Sequence, residues 1–192
     1  MGLQRTIDAA SEPVSLSDAK ANMRVTDSSE DALIGTLIAA ARQMAENLLG
    51  RALITQTWRK TIDAFADAIE LPYAPVIAVT SVKYLDLDGA QQTLSTNSYY
   101  LDNRSEPAWL VPAYGYVWPD TLLTANAVEV TYTAGYGVDG TAVPAAIKQW
   151  ILLAVGAMFE NREAFVITQG SAAMLEPGFW DGLLDPYRII TI

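Results

Sequence analysis

The sequence predicts an α+β fold: a small helical core of N-terminal helices plus one C-terminal helix, an inserted antiparallel β-rich region, and an extended C-terminal tail. Three observations predict it. Apolar residues recur at three- and four-residue spacing up to Gly50, the period of an amphipathic helix. From Ile54 to about Thr133 the chain is rich in β-branched and aromatic residues punctuated by Pro and Gly, as in short strands joined by turns. A second helical stretch opens at Pro144. The outer helices are too few to form a domain of their own, so the β-rich middle reads as an insertion into one helical core. The expected organisation is a flexible leader over 1–13, a helical core from 14–50 with 141–163, a β-rich insertion over 51–140, and an extended partner-binding tail over 164–192.

The elements follow in order. Ser15 with Asp18 three residues on predicts a capping box, with Leu16, Ala19 and Met23 on one face of a short helix. Asp27, Ser28, Ser29, Glu30 and Asp31 supply a second helix start, with N-cap oxygens and acidic groups at the positive end of the dipole. Leu33, Ile34, Leu37, Ile38, Ala41, Met44, Ala45, Leu48 and Leu49 then form the clearest helical stripe, and Gly50 supplies its stop. Ile54 to Ile62 reads as a strand. Val76 to Leu85 reads as another, with Asp88-Gly89 as a hairpin turn and Gln91 to Leu94 as the return arm. Tyr99 to Asp102, Trp109 to Val111 and Ala127 to Thr133 are further strands, and Pro112 to Asn126 is a long aromatic loop. The last helix runs from about Pro144 to Arg162, with Pro suited to a first helical turn.

Composition narrows the function classes. The chain has 192 residues, 51% of them apolar, a net charge of −10, and neither Cys nor His. Without Cys there is no disulfide, thiolate nucleophile or zinc-thiolate site. Without His the commonest general base near neutral pH is missing. The acidic balance opposes tight binding to nucleic acid or to an anionic membrane. The opening residues lack the basic-then-apolar plan of a secretory signal. The longest uncharged apolar stretch, Gln149 to Phe159, has 11 residues, against the roughly 20 that a membrane span needs.

The remaining motifs carry bland and sharp readings side by side. Asp86-Leu87-Asp88-Gly89 looks like the start of a calcium loop, but the later ligand positions are missing, which favours a hairpin turn. Thr133-Ala134-Gly135-Tyr136-Gly137 resembles a potassium filter in letters alone and reads as a Gly-permitted turn. Asp63 and Asp67 could pair as hydrolytic carboxylates, with solvated surface as the alternative. No phosphate-binding glycine motif is present, and the sequence calls for no cofactor, metal or catalytic residue. Trp109, Tyr114, Tyr116 and Trp118 could stack on a sugar, a base or a peptide, or else fill a core or a subunit contact.

Two stretches hold more apolar surface than a small domain readily buries. From Ala145 to Phe159 only Lys148 and Gln149 are strongly polar, so the helix is apolar nearly all round. Its end, Glu160-Asn161-Arg162-Glu163, is either a solvated terminus or an intersubunit ion pair. The tail combines Pro and Gly with Met174, Leu175, Phe179, Trp180, Leu183, Leu184, Tyr187, Ile189, Ile190 and Ile192. It can pack back over its own domain or enter a partner through Phe179, Trp180 and Tyr187, residue types common at binding hot spots.

Several segments, in order, resemble the head-to-tail connector (adaptor) family of tailed phages, in the longer variety with a β-rich insertion. They include Val14-Ser15-Leu16-Ser17-Asp18-Ala19-Lys20, Asp31-Ala32-Leu33-Ile34, Gly50 to Trp58, Leu71-Pro72, Val79 to Gly89, Tyr132 to Gly137, Val143-Pro144 and Glu160-Asn161-Arg162-Glu163. The resemblance implies a non-enzymatic virion protein of a phage or a gene transfer agent, made in the bacterial cytoplasm and located in the particle neck. It implies a ring of about twelve copies, the cyclic symmetry usual for head-to-tail contacts, seated between the portal and a stopper or tail-terminator protein. DNA would pass through without specific binding, and no membrane is involved. On this reading Met174, Leu175, Phe179, Trp180, Leu183, Tyr187, Ile189, Ile190 and Ile192 form the portal or partner interface. Trp150, Leu153, Glu160 and Arg162 are the expected intersubunit contacts. The competing expectation is a carbohydrate- or peptide-binding β module that uses the aromatic loop 109–118.

Overall fold

The structure, a computed structural model, describes residues 2–161, 165–168, 171–174 and 181–189, with backbone alone for 165–168, 171–174 and 181. Its architecture is α+β. The chain divides into two compact units: residues 1–10 with 50–138, and residues 11–49 with 139–192.

The first unit is β-rich. Its strands are β1 (Gly2–Ile7), β2 (Gln56–Ile62), β3 (Ile69–Leu71), β4 (Val76–Leu85), β5 (Gln91–Thr93), β6 (Tyr99–Asp102), β7 (Ala108–Pro112) and β8 (Val128–Ala134). One sheet has the order β1-β2-β8-β4-β5 and a second the order β3-β7-β6. All of these pairs are antiparallel. Alternation of side chains across the pleat explains the burial of β2 and β8, in which every second residue faces inward. Trp58, Ile62, Val128, Val130 and Tyr132 from those faces join Leu71, Val82 and Leu110 in one apolar core. The Tyr132 hydroxyl donates to the Pro72 carbonyl at 2.9 Å, and burial pushes its pKa up.

The leader expected over 1–13 is not free: Gly2–Ile7 forms β1 and pairs with β2 from Gly2↔Thr61 to Ile7↔Thr57. Its polar composition hid the strand. An edge strand needs only one apolar-tolerant face, and here Arg5 lies over the Trp58 ring at 5.9 Å. That ring in turn stacks on Tyr73 with centroids 4.0 Å apart. The three-residue β3 is too short to show a period in the sequence.

The Gly135 motif is a crossing point. The Gly135 N–H donates to Pro75 O at 2.9 Å, the Thr55 N–H to Gly137 O at 2.8 Å, and the Tyr136 N–H to Leu53 O at 3.3 Å. Gly135 sits at φ 141, and a Cβ there would lie 2.6 Å from the Ile54 and Thr55 backbone. Only glycine allows that approach.

The second unit holds α1 (Leu16–Met23), α2 (Asp31–Leu49) and α3 (Ala145–Glu160). The Ser15/Asp18 capping box is present: the Asp18 N–H donates to Ser15 Oγ at 3.1 Å and the Ser15 N–H to Asp18 Oδ2 at 3.3 Å. On α2 the inward face is Ile34, Ile38, Ala41, Ala45 and Leu49 together with Arg42 and Glu46, whereas Met44 and Leu48 are exposed. The stripe read from sequence therefore spans more than one face. Arg42, 3% exposed, bonds Glu12 at 2.8 Å and Glu46 at 3.1 Å. α3 begins after Pro144, ends at Asn161, and buries Ile147, Trp150, Ile151, Ala154 and Val155.

The tail is not simply extended. Phe165–Thr168 and Ser171–Met174 pair as antiparallel strands, β9 and β10. Two single 3-10 turns follow at Asp181–Leu183 and Asp185–Tyr187. Leu184 between them is fully buried, and the Ile189 N–H donates to Leu49 O at 3.0 Å. This part of the tail packs on its own unit because Leu184 finds an apolar site and the local backbone is paired there.

Two substitutions test this packing by chemical denaturation. Gly135→Ala should cost about 2 kcal/mol or more, because both the dihedral and the close approach oppose a Cβ. Arg42→Met should cost about 3 kcal/mol by leaving Glu46 buried without its cation. A loss below about 0.5 kcal/mol in either variant, the range of ordinary surface changes, contradicts the corresponding account.

Candidate assembly surfaces

Of the acidic residues that raised the possibility of chemistry, Asp63 and Asp86 hold the backbone of a loop and a hairpin. The Asp63 carboxylate accepts the Asn126 N–H at 2.8 Å and so ties down the end of the long loop, where Asn126 has φ 58. Asp67 is exposed. Asp86 closes the β4–β5 hairpin by accepting the N–H groups of Asp88 (3.1 Å) and Ala90 (2.9 Å) and the Gln92 amide (2.7 Å). Those bonds, Gln92 foremost, hold its carboxyl below the usual range. Among the described residues no group of three or more acidic side chains could hold a metal ion.

The aromatic loop does not form one binding face. Trp118 turns inward and stacks on Phe65 (4.7 Å, 7°), which meets Tyr84 edge-on at 5.8 Å. Tyr114, Tyr116, Val117 and Leu123 are exposed instead. The Leu122 N–H donates to Leu85 O at 3.0 Å and fastens the loop to the β4–β5 hairpin, whose tip exposes Leu87. Trp109 belongs to β7 and lines an open groove of about 610 Å³ with Tyr100, Asp102, Arg104 and Val111. Tyr114, Tyr116 and Trp118 have no part in that groove, so the 109–118 module expected as an alternative is not assembled.

Two further polar groups stiffen this unit. The Arg51 guanidinium grips Glu106 with both terminal nitrogens, and this bond holds the Glu106 carboxyl below its ordinary value. Lys60, nearly buried, donates to Glu70 O at 2.6 Å, and burial lowers its pKa. On the outer face of the sheet Arg59 meets Glu129 at 3.3 Å.

In the helical unit the expected contact residues separate. Trp150 is 2% exposed and fills the core of its own unit, so its side chain is not on the surface. Leu153 is half-buried and Glu160 is exposed on α3. Part of the apolar circumference of α3 is covered internally by α1, α2 and the turn at Asp181–Leu183, and the Asn22 amide donates to Leu152 O at 3.2 Å. Leu183, Tyr187 and Ile189 are half-buried. Met174 is known by its backbone in β10 alone, and Arg162, Leu175, Phe179, Trp180, Ile190 and Ile192 lie outside the described residues.

The comparisons with known proteins bear on what these surfaces do. Residues 13–105 match the family model described as "Phage gp6-like head-tail connector protein". This is the head-tail connector family that the sequence motifs resemble. The match runs from the N-terminal helices into the β-rich unit as far as β6. The fold is also similar to that of solved chains, three of which each cover 100% of this chain and 97% of their own length. One is from "Virion of native gene transfer agent (GTA) particle", with TM-score 0.80 and 24% identity. One is from "Neck of empty GTA particle computed with C6 symmetry", with TM-score 0.81 and 23% identity. The third is from "Neck of native GTA particle computed with C12 symmetry", with TM-score 0.75 and 25% identity. A comparison with curated protein sequences gives no match.

The lowered carboxyl groups set a pH dependence. Asp18, held down by the Ser15 hydroxyl, Asp86 and Glu106 all have folded values below their unfolded ones. Their stabilisation is therefore complete above about pH 5 and is lost as pH falls through the folded values. The melting temperature should hold from pH 7 to 5 and then drop below about pH 4. The deficit of Glu106→Gln at pH 7 should narrow as the pH falls below about 4. A melting temperature that rises on acidification below pH 4 would refute the assignment.

Proposed function

We propose that this chain is a structural protein of the neck of a tailed-phage or gene-transfer-agent-like particle. It forms a homo-oligomeric ring between the portal and the stopper or tail components and catalyses no reaction. The observation that carries the reading is the near-complete, end-to-end similarity to chains from particle necks, together with the connector-family match over 13–105. The surface chemistry supports it. The carboxylates with hydrogen-bonded partners fix turns, caps and ion pairs, His and Cys are absent, and exposed apolar side chains occur on both units. A net charge of −10 suits a channel through which DNA slides, since like charge discourages adhesion.

Within this reading Leu153 and Glu160 contact the neighbouring subunit, and the tail carries the portal-binding arm through Phe179, Trp180 and the apolar residues around them. Two variants test the arm against purified portal. Removing residues 164–192 should abolish copurification with it. Because that deletion also removes the buried Leu184, Phe179→Ala with Trp180→Ala in the full-length chain is the sharper variant, and it should weaken binding about tenfold or more. Unchanged binding by the double variant overturns the arm, and failure of the unaltered chain to bind any portal overturns the position in the neck.

A further inference from the structure

The five-stranded sheet leaves two edges without a neighbouring strand among the described residues, and they are complementary. On one side β1 is the terminal strand, paired with β2, so no second strand lies along the outer edge of Gly2–Ile7 among the described residues. On the other side β5 covers only Lys83, Tyr84 and Leu85 of β4, and the Leu94 N–H reaches Val82 O. The remaining stretch of β4, Val76 to Ser81, bonds β8 on one side and has no strand on the other among the described residues. This vacancy is six residues long, and β1 is six residues long.

Composition makes the vacancy costly to leave open. Val76-Ile77-Ala78-Val79-Thr80-Ser81-Val82 contains no charge, Pro or Gly, the make-up of segments that pair with other strands. Ile77, Ala78 and Thr80 are exposed. Edges of this kind are normally blunted by Lys, Pro or an overlying element. The protection here consists of register shifts between Val76 and Ala78 and between Val79 and Ser81. β1 carries a shift of its own between Arg5 and Ile7. Bulges of this kind twist an edge away from generic partners.

Direction agrees as well. Each neighbour in the series β1, β2, β8, β4 is antiparallel to the last, so β1 and β4 run in opposite senses. A second copy related by rotation, without reversal, brings its β1 beside the β4 of the first in the antiparallel sense. The pattern repeats without a fault at the junction. The two edges are different surfaces, so their contact is heterologous and can close into a ring.

We infer that the ring is joined by strand addition: β1 of one copy occupies the vacant edge of β4, Val76 to Ser81, in the next. The occupant is a second copy of this chain, and the inference rests on the ring-forming reading above.

The absence of Cys makes the test clean. Gln4 opposes Arg59, and Ala78 opposes Thr133, on the same outer face of the sheet. Within one chain these positions are three strand spacings apart, about 14 Å, too far for a disulfide. The full-length double variant Gln4→Cys/Ala78→Cys, and a second with Gln4→Cys/Ser81→Cys to cover a shift by one pleat, are oxidised at concentrations where mass photometry reports oligomers. A ladder of covalent multimers that reductant abolishes is expected from at least one of them. Mixing the single variants Gln4→Cys and Ala78→Cys should stop at dimers, and Gln4→Cys/Thr131→Cys should give no ladder. Oligomers without a ladder overturn the strand addition while the ring reading stands. Dimers from Gln4→Cys alone overturn it in favour of a two-fold β1–β1 contact. No oligomers and no ladder at any concentration overturn both the strand addition and self-assembly of the chain.

Discussion

Strand β8, Val128–Ala134, lies between β2 and β4 and is paired along its whole length on both sides, although β4 ends more than forty residues before it and β2 still earlier. The rest of the β-rich unit depends on that insertion. It buries Val128, Val130, Tyr132 and Ala134, it brings Gly135 against the Ile54–Thr55 backbone, and it separates β1 from β4 so that their outer edges are both left available. Long-range pairing of this kind carries a loop-closure cost before its contacts form. The interior side chains of β2, β4 and β8 offset that cost together, since none of these strands has a second apolar face to use.

The helical unit solves a different problem. α3 is too apolar to be a surface helix, and α1, α2 and the Leu184 region of the tail each cover part of it. Arg42 and Glu46 lie on the same inward-facing helix as Ile38 and Ala45, where an unpaired charge would be strongly unfavourable. Their mutual bond and the link to Glu12 satisfy both while fixing the chain just ahead of Pro13. Gly140 approaches that same point: a Cβ there would lie 2.2 Å from Pro13 O.

What was legible in the sequence was whatever repeats. The α2 stripe, the Ser15/Asp18 cap, the Asp88-Gly89 hairpin and the alternation in 56–62 and 128–134 each carry their own local signal, and each has its element in the fold. What was not legible depends on distant partners. β1 has no amphipathic signature and becomes a strand only because β2 offers an edge. β3 is too short for a period. The inward turn of Trp118 is set by Phe65, some fifty residues earlier, and nothing near Trp118 announces it. The same holds for the contact residues: Trp150 and Leu153 look alike as apolar helix positions, yet three residues of offset put one ring inside and leave the other side chain half-buried. For Asp63 and Asp86, single positions gave no hint that their carboxylates cap a loop and a hairpin.

These features converge on a protein whose work is done by surfaces. Internal polar groups fasten loops, a close backbone crossing stiffens the β unit, and apolar side chains are left outside on both units. The same sheet that holds the core presents two different edges of matching length, a natural basis for head-to-tail repetition. The central claim is that copies of this chain make up a ring in the particle neck. The most direct measurement is cryo-electron microscopy of particles from cells with and without the gene. The account predicts a closed cyclic layer of this chain beneath the portal that vanishes with the gene, whereas an unchanged neck in particles lacking the chain would contradict it.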